Sequence, residues 1–330
     1  MIEKCFCEEM CRALNDVMSI VALILSVSVV FLNGFTDAPN SIAACVGTKA
    51  LEMKKACTLC AIFNFFGAFL TMKINASVVR SVFELADFGG KMTVGAVASL
   101  SSVCVFSLVA WLFSMPSSES HALVGGIAGA SIAISGTFQN YDEFLKILGG
   151  VAVSCTISFF ISFLICLIFK KKTLPYKELQ IGACALSSFS HGAQDSQKFV
   201  GIIMLMMFGK KADFAVPVSI ILMVSIVMAL GAVLGGGRIV RTLSEKTVKL
   251  CEKSAFSSDI ASFISAIASS FLGIPVSTSN IKACALMGAG KAMKEKINKR
   301  TAASLLLTTL LTFPVCILIG FIVAKILLNI

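Results

Sequence analysis

The chain is a succession of apolar runs of about 20 residues separated by short polar connections, the length a helix needs to cross a bilayer core. This pattern predicts membrane segments at 17–35 running on to 48, 53–72, 92–113, 115–136, 143–169, 178–208, 214–235, 258–273, 275–290 and 301–328. Three of them depart from an ordinary span. Segments 258–273 and 275–290 are short or broken, and 115–136 opens on Pro116 and carries Glu119, His121 and the pair Gly125 and Gly126. Polar breaks at membrane depth are tolerated only where protein or a wet cavity satisfies the backbone. The expected fold class is an all-α membrane protein with broken helices and re-entrant-type hairpins, about 10–12 membrane segments in all.

Composition supports this reading and changes what the charge means. Hydrophobic residues make up 57% of the 330 and charged residues 14%, with a mean hydropathy of +0.92. The net charge of +10 therefore speaks to topology, and no nucleic-acid partner is expected. Loops at 49–55, 170–177, 236–257 and 291–300 hold 17 of the 28 basic residues. The positive-inside rule then puts both termini on the outer side, with the Lys210–Lys211 pair dissenting. The 13 cysteines lie mainly in apolar stretches and read as small packing residues. Cys5, Cys7 and Cys11 have no accompanying His and no standard zinc spacing. The tail 1–16 is acidic toward its end and lacks the basic start of a signal peptide, so the run from Val17 is expected to remain as the first span.

Two motifs recur. Gly34-Phe35-Thr36-Asp37 and Gly192-Ala193-Gln194-Asp195 share Gly-x-x-Asp, each inside an apolar helix. About 80 residues beyond each comes a Pro-led serine motif, Pro116-Ser117-Ser118-Glu119-Ser120-His121 and Pro275-Val276-Ser277-Thr278-Ser279-Asn280. The chain thus divides into 17–172 and 173–330. Each half counts an odd number of crossings, so the second is expected to be inverted relative to the first. Such transporters place substrate and ion sites near the midplane, where broken helices of the two halves meet.

The motifs suit an oxyanion and a cation. Pro belongs in the first turn of a helix and Ser or Thr at its cap, so each serine motif reads as a half-helix N-terminus that attracts an anion. Ser117, Ser118 and Ser120 from one half and Ser277, Thr278 and Ser279 from the other are the expected anion ligands. Asp37 and Asp195 repel an anion but suit a small hard cation, either Na+ or a proton; otherwise they cap broken helices. Asn33 and Asn40 add neutral oxygens there. Gln194 does the same and also stands among the anion ligands. Breaks at Gly34 and Gly192 are expected to free carbonyls. Lys198 and Lys282 either offset substrate charge or snorkel to the interface. His121 and His191, the only histidines, fit hydrogen bonding at helix breaks. Asp259 either faces the cavity or caps its helix, Asn64 suits a bond between helices, and Glu84 and Asp87 read as solvated. No dinucleotide glycine fingerprint, nucleotide-binding phosphate loop or nucleophile–base pair is found, so neither an enzyme nor an ATP-driven pump is expected.

These motifs resemble the PiT family of inorganic phosphate transporters. The matching stretches are Phe31 to Ser41, Pro116 to Gly126, Phe189 to Lys198, Ile274 to Ser279 and the basic segment Gly237 to Leu243. The resemblance implies a phosphate site near a pseudo-twofold centre, coupling to Na+ or H+, a multi-pass cytoplasmic (inner) membrane location and a homodimer. Asp37 and Asp195 match acids the family needs for transport, and Asp259 matches the position of a family Glu. Asn280 replaces a usual His, Gln194 a usual Asn, and Glu119 a usual Ser or Thr. Glu119 would repel phosphate unless it points away, carries a proton or pairs with Lys282. A sulfate or related tetrahedral oxyanion is the alternative substrate.

Overall fold

The computed structural model describes residues 17–113, 118–209, 215–235, 237, 240–241, 250–295 and 297–329. Pro116, Ser117, the tail cysteines, Lys210–Lys211 and most of the basic segment after Gly237 lie outside them. The first half contains α1 (Val17–Thr36), α2 (Pro39–Gly47), α3 (Met53–Ile74), α4 (Ser77–Leu85), α5 (Met92–Leu112), α6 (Glu119–Ser135) and α7 (Tyr141–Phe169). The second contains α8 (Tyr176–Phe208), α9 (Val218–Leu234), α10 (Glu252–Phe271), α11 (Thr278–Ala292) and α12 (Lys299–Leu328). No strand forms among the described residues.

The bundle is apolar outside, and its interior combines an apolar core with many buried polar side chains. Ile62, Phe66 and Leu70 of α3, Phe160 and Leu164 of α7, and Leu318 and Ile322 of α12 are exposed, while Ser99, Ser102, Ser158, Ser188, Ser225 and Ser258 are buried. Lipid as the outer solvent accounts for both, because side-chain hydroxyls find partners only in the interior. Among the described residues, five stretches are long and apolar enough to cross a membrane: Val17–Gly47, Met53–Ile74, Met92–Leu112, Tyr141–Phe169 and Leu307–Leu328. The 33-residue α8 is also long enough, but from Gln180 to Lys198 its polar side chains are buried.

Helix contacts in one half are mirrored, with exchange, in the other. α1 packs on α9 as α8 packs on α3, and α6 packs on α12 as α11 packs on α7. Hairpin partners α5 and α6 correspond to α10 and α11, which also touch each other. The close approaches follow the same exchange. A Cβ on Gly34 would stand 2.1 Å from the Met228 carbonyl oxygen of α9, and one on Gly192 would stand 2.2 Å from that of Asn64 in α3. Farther along, Gly129 meets the Ile317 carbonyl of α12 and Gly288 the Phe159 carbonyl of α7, at 2.0 and 2.1 Å from an added Cβ.

These contacts correct the expected role of two glycines. Gly34 lies within α1 and Gly192 within the continuous α8, so neither breaks its helix. Both let two backbones approach, as small residues do in membrane bundles. The interruption in the first half falls at Asp37–Ala38. Pro39 has no N–H to continue the ladder, and the Asn33 carbonyl accepts from both Asp37 N–H (2.9 Å) and Ala38 N–H (3.1 Å). α4 is an element the hydropathy pattern missed. It is too short to cross, and Val78, Val79, Val82, Phe83 and Leu85 are buried while Arg80 pairs with Glu84 at 3.3 Å on the exposed side.

Replacing Gly34 or Gly192 with Leu is expected to destabilise the protein by at least about 1–3 kcal/mol through overpacking, read as a lower melting temperature in detergent. Gly182→Ala, where an added Cβ meets nothing within 4 Å, is expected to leave that temperature unchanged or raise it.

Candidate functional site

The four motifs meet around Asp195. This residue sits in α8 and is fully buried. Its Oδ1 accepts from Lys198 Nζ at 2.7 Å and its Oδ2 from Asn33 Nδ2 of α1 at 3.1 Å. Thr278, the first residue of α11, brings its hydroxyl to 3.4 Å from Oδ2. His191 Nε2 is 3.5 Å from the same oxygen, and its Nδ1 lies 2.6 Å from Asn64 Oδ1 of α3. Lys198 continues the junction: its ammonium donates to Ser120 Oγ of α6 and to the Val276 carbonyl between α10 and α11 at 2.5 Å. Ser120 Oγ in turn donates to that carbonyl at 3.0 Å.

The serine motifs form helix starts that meet at this junction, where Ser120 Oγ lies 3.0 Å from the Val276 carbonyl. Ser118 caps α6 by accepting His121 N–H at 3.3 Å, and Ser277 caps α11 by accepting Asn280 N–H at 3.3 Å. Ser277 and Ser279 hydroxyls are 3.0 Å apart. Two buried helix N-termini, each with unspent N–H groups in its first turn, concentrate positive potential. Gln194 donates to the Ile274 carbonyl at 2.7 Å, which ties α8 to the link before α11, and its Oε1 has no partner.

Across from Asp195, the α1–α2 break holds a second carboxylate under different conditions. Asp37 Oδ1 accepts from Asn40 Nδ2 at 2.5 Å, whereas Asp37 Oδ2, Asn33 Oδ1 and Asn40 Oδ1 are buried without a partner. One ligand atom each from Asp37, His191 and Asp195 can be taken so that all three lie within 4.8 Å of one another. Neither Asp37 nor Glu119 makes an ion pair among the described residues. An uncompensated buried carboxylate costs several kcal/mol, and oxygens are the ligands hard cations take. The donor set therefore fits a small cation or a proton at Asp37.

Several expectations change. Lys198 and Lys282 do not snorkel; both are buried with about 1% of their surface exposed. Lys282 pairs with Asp259, so it is not the partner of Glu119. Glu119 instead lies 2.5 Å from the Thr36 hydroxyl of α1, a contact for which only adjacency to Asp37 offered a sequence signal. Asp259 is not a cap, because α10 begins at Glu252. His121 lies against Phe313 with ring centroids 4.7 Å apart and planes tilted by 30°, and neither of its ring nitrogens is hydrogen-bonded. Asn280 Oδ1 accepts from Thr309 of α12 at 3.1 Å, away from the junction. Residues the motifs contained but gave no role include Ser41, 2.8 Å from Ser188, and Gln197, whose Oε1 accepts the Val78 N–H at the start of α4, 3.2 Å away. A cavity of about 10 Å³ adjoins the junction, lined in part by Asn40, Ser41, His191, Thr278 and Lys282. That is about the space of one water.

A helical bundle with apolar outer faces whose polar motifs converge on an interior junction is the architecture of a multi-pass membrane protein. Comparison with known proteins says which kind: the family described as the phosphate transporter family matches over residues 33–177 and 170–320, and the chain belongs to it. A probable low-affinity inorganic phosphate transporter of Bacillus subtilis is 30% identical over 92% of this chain and 95% of its own length. One of Rhizobium meliloti with the same description is 33% identical over 88% of this chain and 90% of its own. A solved structure described as the sodium-dependent phosphate transporter shares the fold, with a TM-score of 0.85 at 22% identity, covering 96% of this chain and all of that one. The chain is accordingly a transporter and not an enzyme.

The Lys282–Asp259 pair gives a test of the buried charges. Asp259→Asn alone is expected to lose roughly 3–5 kcal/mol of stability, while Lys282→Met combined with Asp259→Leu loses much less. Thermal unfolding in detergent measures both.

Proposed function

We propose that this protein carries inorganic phosphate across the cytoplasmic membrane by secondary active transport, coupled to Na+. The observation that carries the reading is the junction itself: two capped helix N-termini, from α6 and α11, lie beside a pair of aspartates of which one retains an unpartnered oxygen. Phosphate would be held by Ser118, Ser120, Ser277, Thr278 and Ser279 with the helix N–H groups, and Ser117 belongs to the same turn by sequence. Asn33, Asp37 and Asn40 would hold the cation, beside Asp195. Positive potential at the helix starts attracts the anion, and the cation neutralises a carboxylate that would otherwise repel it. Binding one ion therefore favours the other.

The exchange of helix contacts supports reading 17–172 and 173–330 as inverted repeats. Alternating access then follows from one set of helices rocking against the other about the junction. The narrow cavity beside His191 and Thr278 favours such a motion over a continuous pore. Both termini would lie outside, and two copies would pair as a homodimer. If the unpartnered Glu119 Oε2 faces the anion, it favours phosphate over sulfate, since phosphate keeps a proton at neutral pH and can donate to a buried acceptor.

In proteoliposomes, a Na+ gradient with pH equal on both sides is expected to drive phosphate uptake that excess sulfate does not inhibit. Asp37→Asn is expected to abolish the Na+-driven part while the protein remains in the membrane; unchanged uptake would remove the cation assignment. Ser118→Ala with Ser277→Ala is expected to raise the phosphate KM roughly tenfold or more, as charge-assisted hydrogen bonds and two caps are lost. An unaltered KM would refute the placement of the anion.

A further inference from the structure

The two halves treat their aspartates differently. Both motifs have the form Gly-x-x-Asp-x-x-x, and the last position, three residues after the aspartate, is Asn40 in the first half and Lys198 in the second. In the first, Asn40 donates to Asp37 and leaves Asp37 Oδ2, Asn33 Oδ1 and Asn40 Oδ1 without partners. In the second, the Lys198 ammonium stands 2.7 Å from Asp195 Oδ1, and Asn33 closes on Oδ2 at 3.1 Å. Both carboxylate oxygens of Asp195 are thus engaged. The ammonium has three donors and no acceptor, and it has three acceptors: Asp195, Ser120 and the Val276 carbonyl. Like a bound cation, it is positively charged and coordinated by a carboxylate, a hydroxyl and a carbonyl.

We infer that Lys198 is a tethered replacement for a second coupling ion: the Asp195 position is filled by the chain's own ammonium, so one mobile cation, held at Asp37, accompanies each phosphate. The inference rests on the cation-coupled reading above and adds its stoichiometry. A fixed charge supports the same neutralisation of Asp195 and the same bridge between the two serine-bearing turns, but it cannot be released on the far side. It therefore contributes to holding the site together and nothing to the driving force. Lys198 is a residue that sets the coupling ratio.

The test is the phosphate accumulation ratio at equilibrium in proteoliposomes clamped at zero membrane potential under a tenfold Na+ gradient. One coupled ion sustains about a tenfold phosphate gradient and two sustain about a hundredfold, since each tenfold in concentration is a fixed free energy. The parent protein is expected at about tenfold, and Lys198→Asn, which recreates the first half's residue, at about a hundredfold. A parent value near a hundredfold overturns the inference and leaves the transport reading intact. If Lys198→Asn does not fold, the parent ratio decides. Accumulation driven by a pH gradient but not by Na+ would sink the sodium assignment separately. Lys198→Asn would then have to acquire a Na+ requirement that the parent lacks, and failure to do so would overturn the inference. As an independent reading, the Asp37→Asn protein, which keeps Lys198, is expected to show no rise in melting temperature on adding Na+; a rise would place an ion at Asp195.

Discussion

A carboxylate buried in a lipid-facing bundle needs a counter-charge or a full set of donors, and the organisation of this protein follows from how that requirement is met at Asp195. Lys198 and Asn33 engage its two oxygens, Thr278 and His191 approach it, and Lys198 extends to Ser120 and Val276. Through one residue, helices from both halves and both serine-bearing turns are held in register. Low dielectric makes such a network strong when every member is satisfied and costly when one is not.

Around this junction the helices are arranged so that polar groups have nowhere else to go. Serines line the interior, large apolar residues face outward, and glycines at the crossings bring backbones together where an added Cβ would collide with a carbonyl. Tight packing fixes the geometry of the motifs, while the Asp37 side of the junction is left with oxygens lacking donors. Rigid support on one side and unmet coordination on the other suit the cation site proposed at Asp37, which would have to fill and empty in turn.

Much of this was legible in the sequence. Apolar runs gave most helices to within a few residues, although the segment expected as short or broken at 258–273 is the continuous helix α10, which starts six residues earlier at Glu252; the repeated Gly-x-x-Asp and Pro-led serine motifs marked segments that do meet. Ser118 and Ser277 were readable as caps because short hydroxyl side chains before an apolar run have few other local uses. What the pattern missed was long-range. Lys198 and Lys282 carry no label in one dimension that separates a buried ion pair from a snorkelling side chain; only the positions of Asp195 and Asp259 decide it. The glycines were misread for a related reason, since a helix break and a helix crossing favour the same residue. Helix α4 escaped because an amphipathic segment of nine residues is too short for hydropathy to register.

The most direct measurement of the account is a high-resolution structure determined with both phosphate and Na+ present. The account predicts anion density between the starts of α6 and α11, within hydrogen-bond reach of Ser120 and Thr278, and a single cation at Asp37 with Lys198 still on Asp195. An anion bound elsewhere, or serine-bearing turns too far apart to share one, would contradict it.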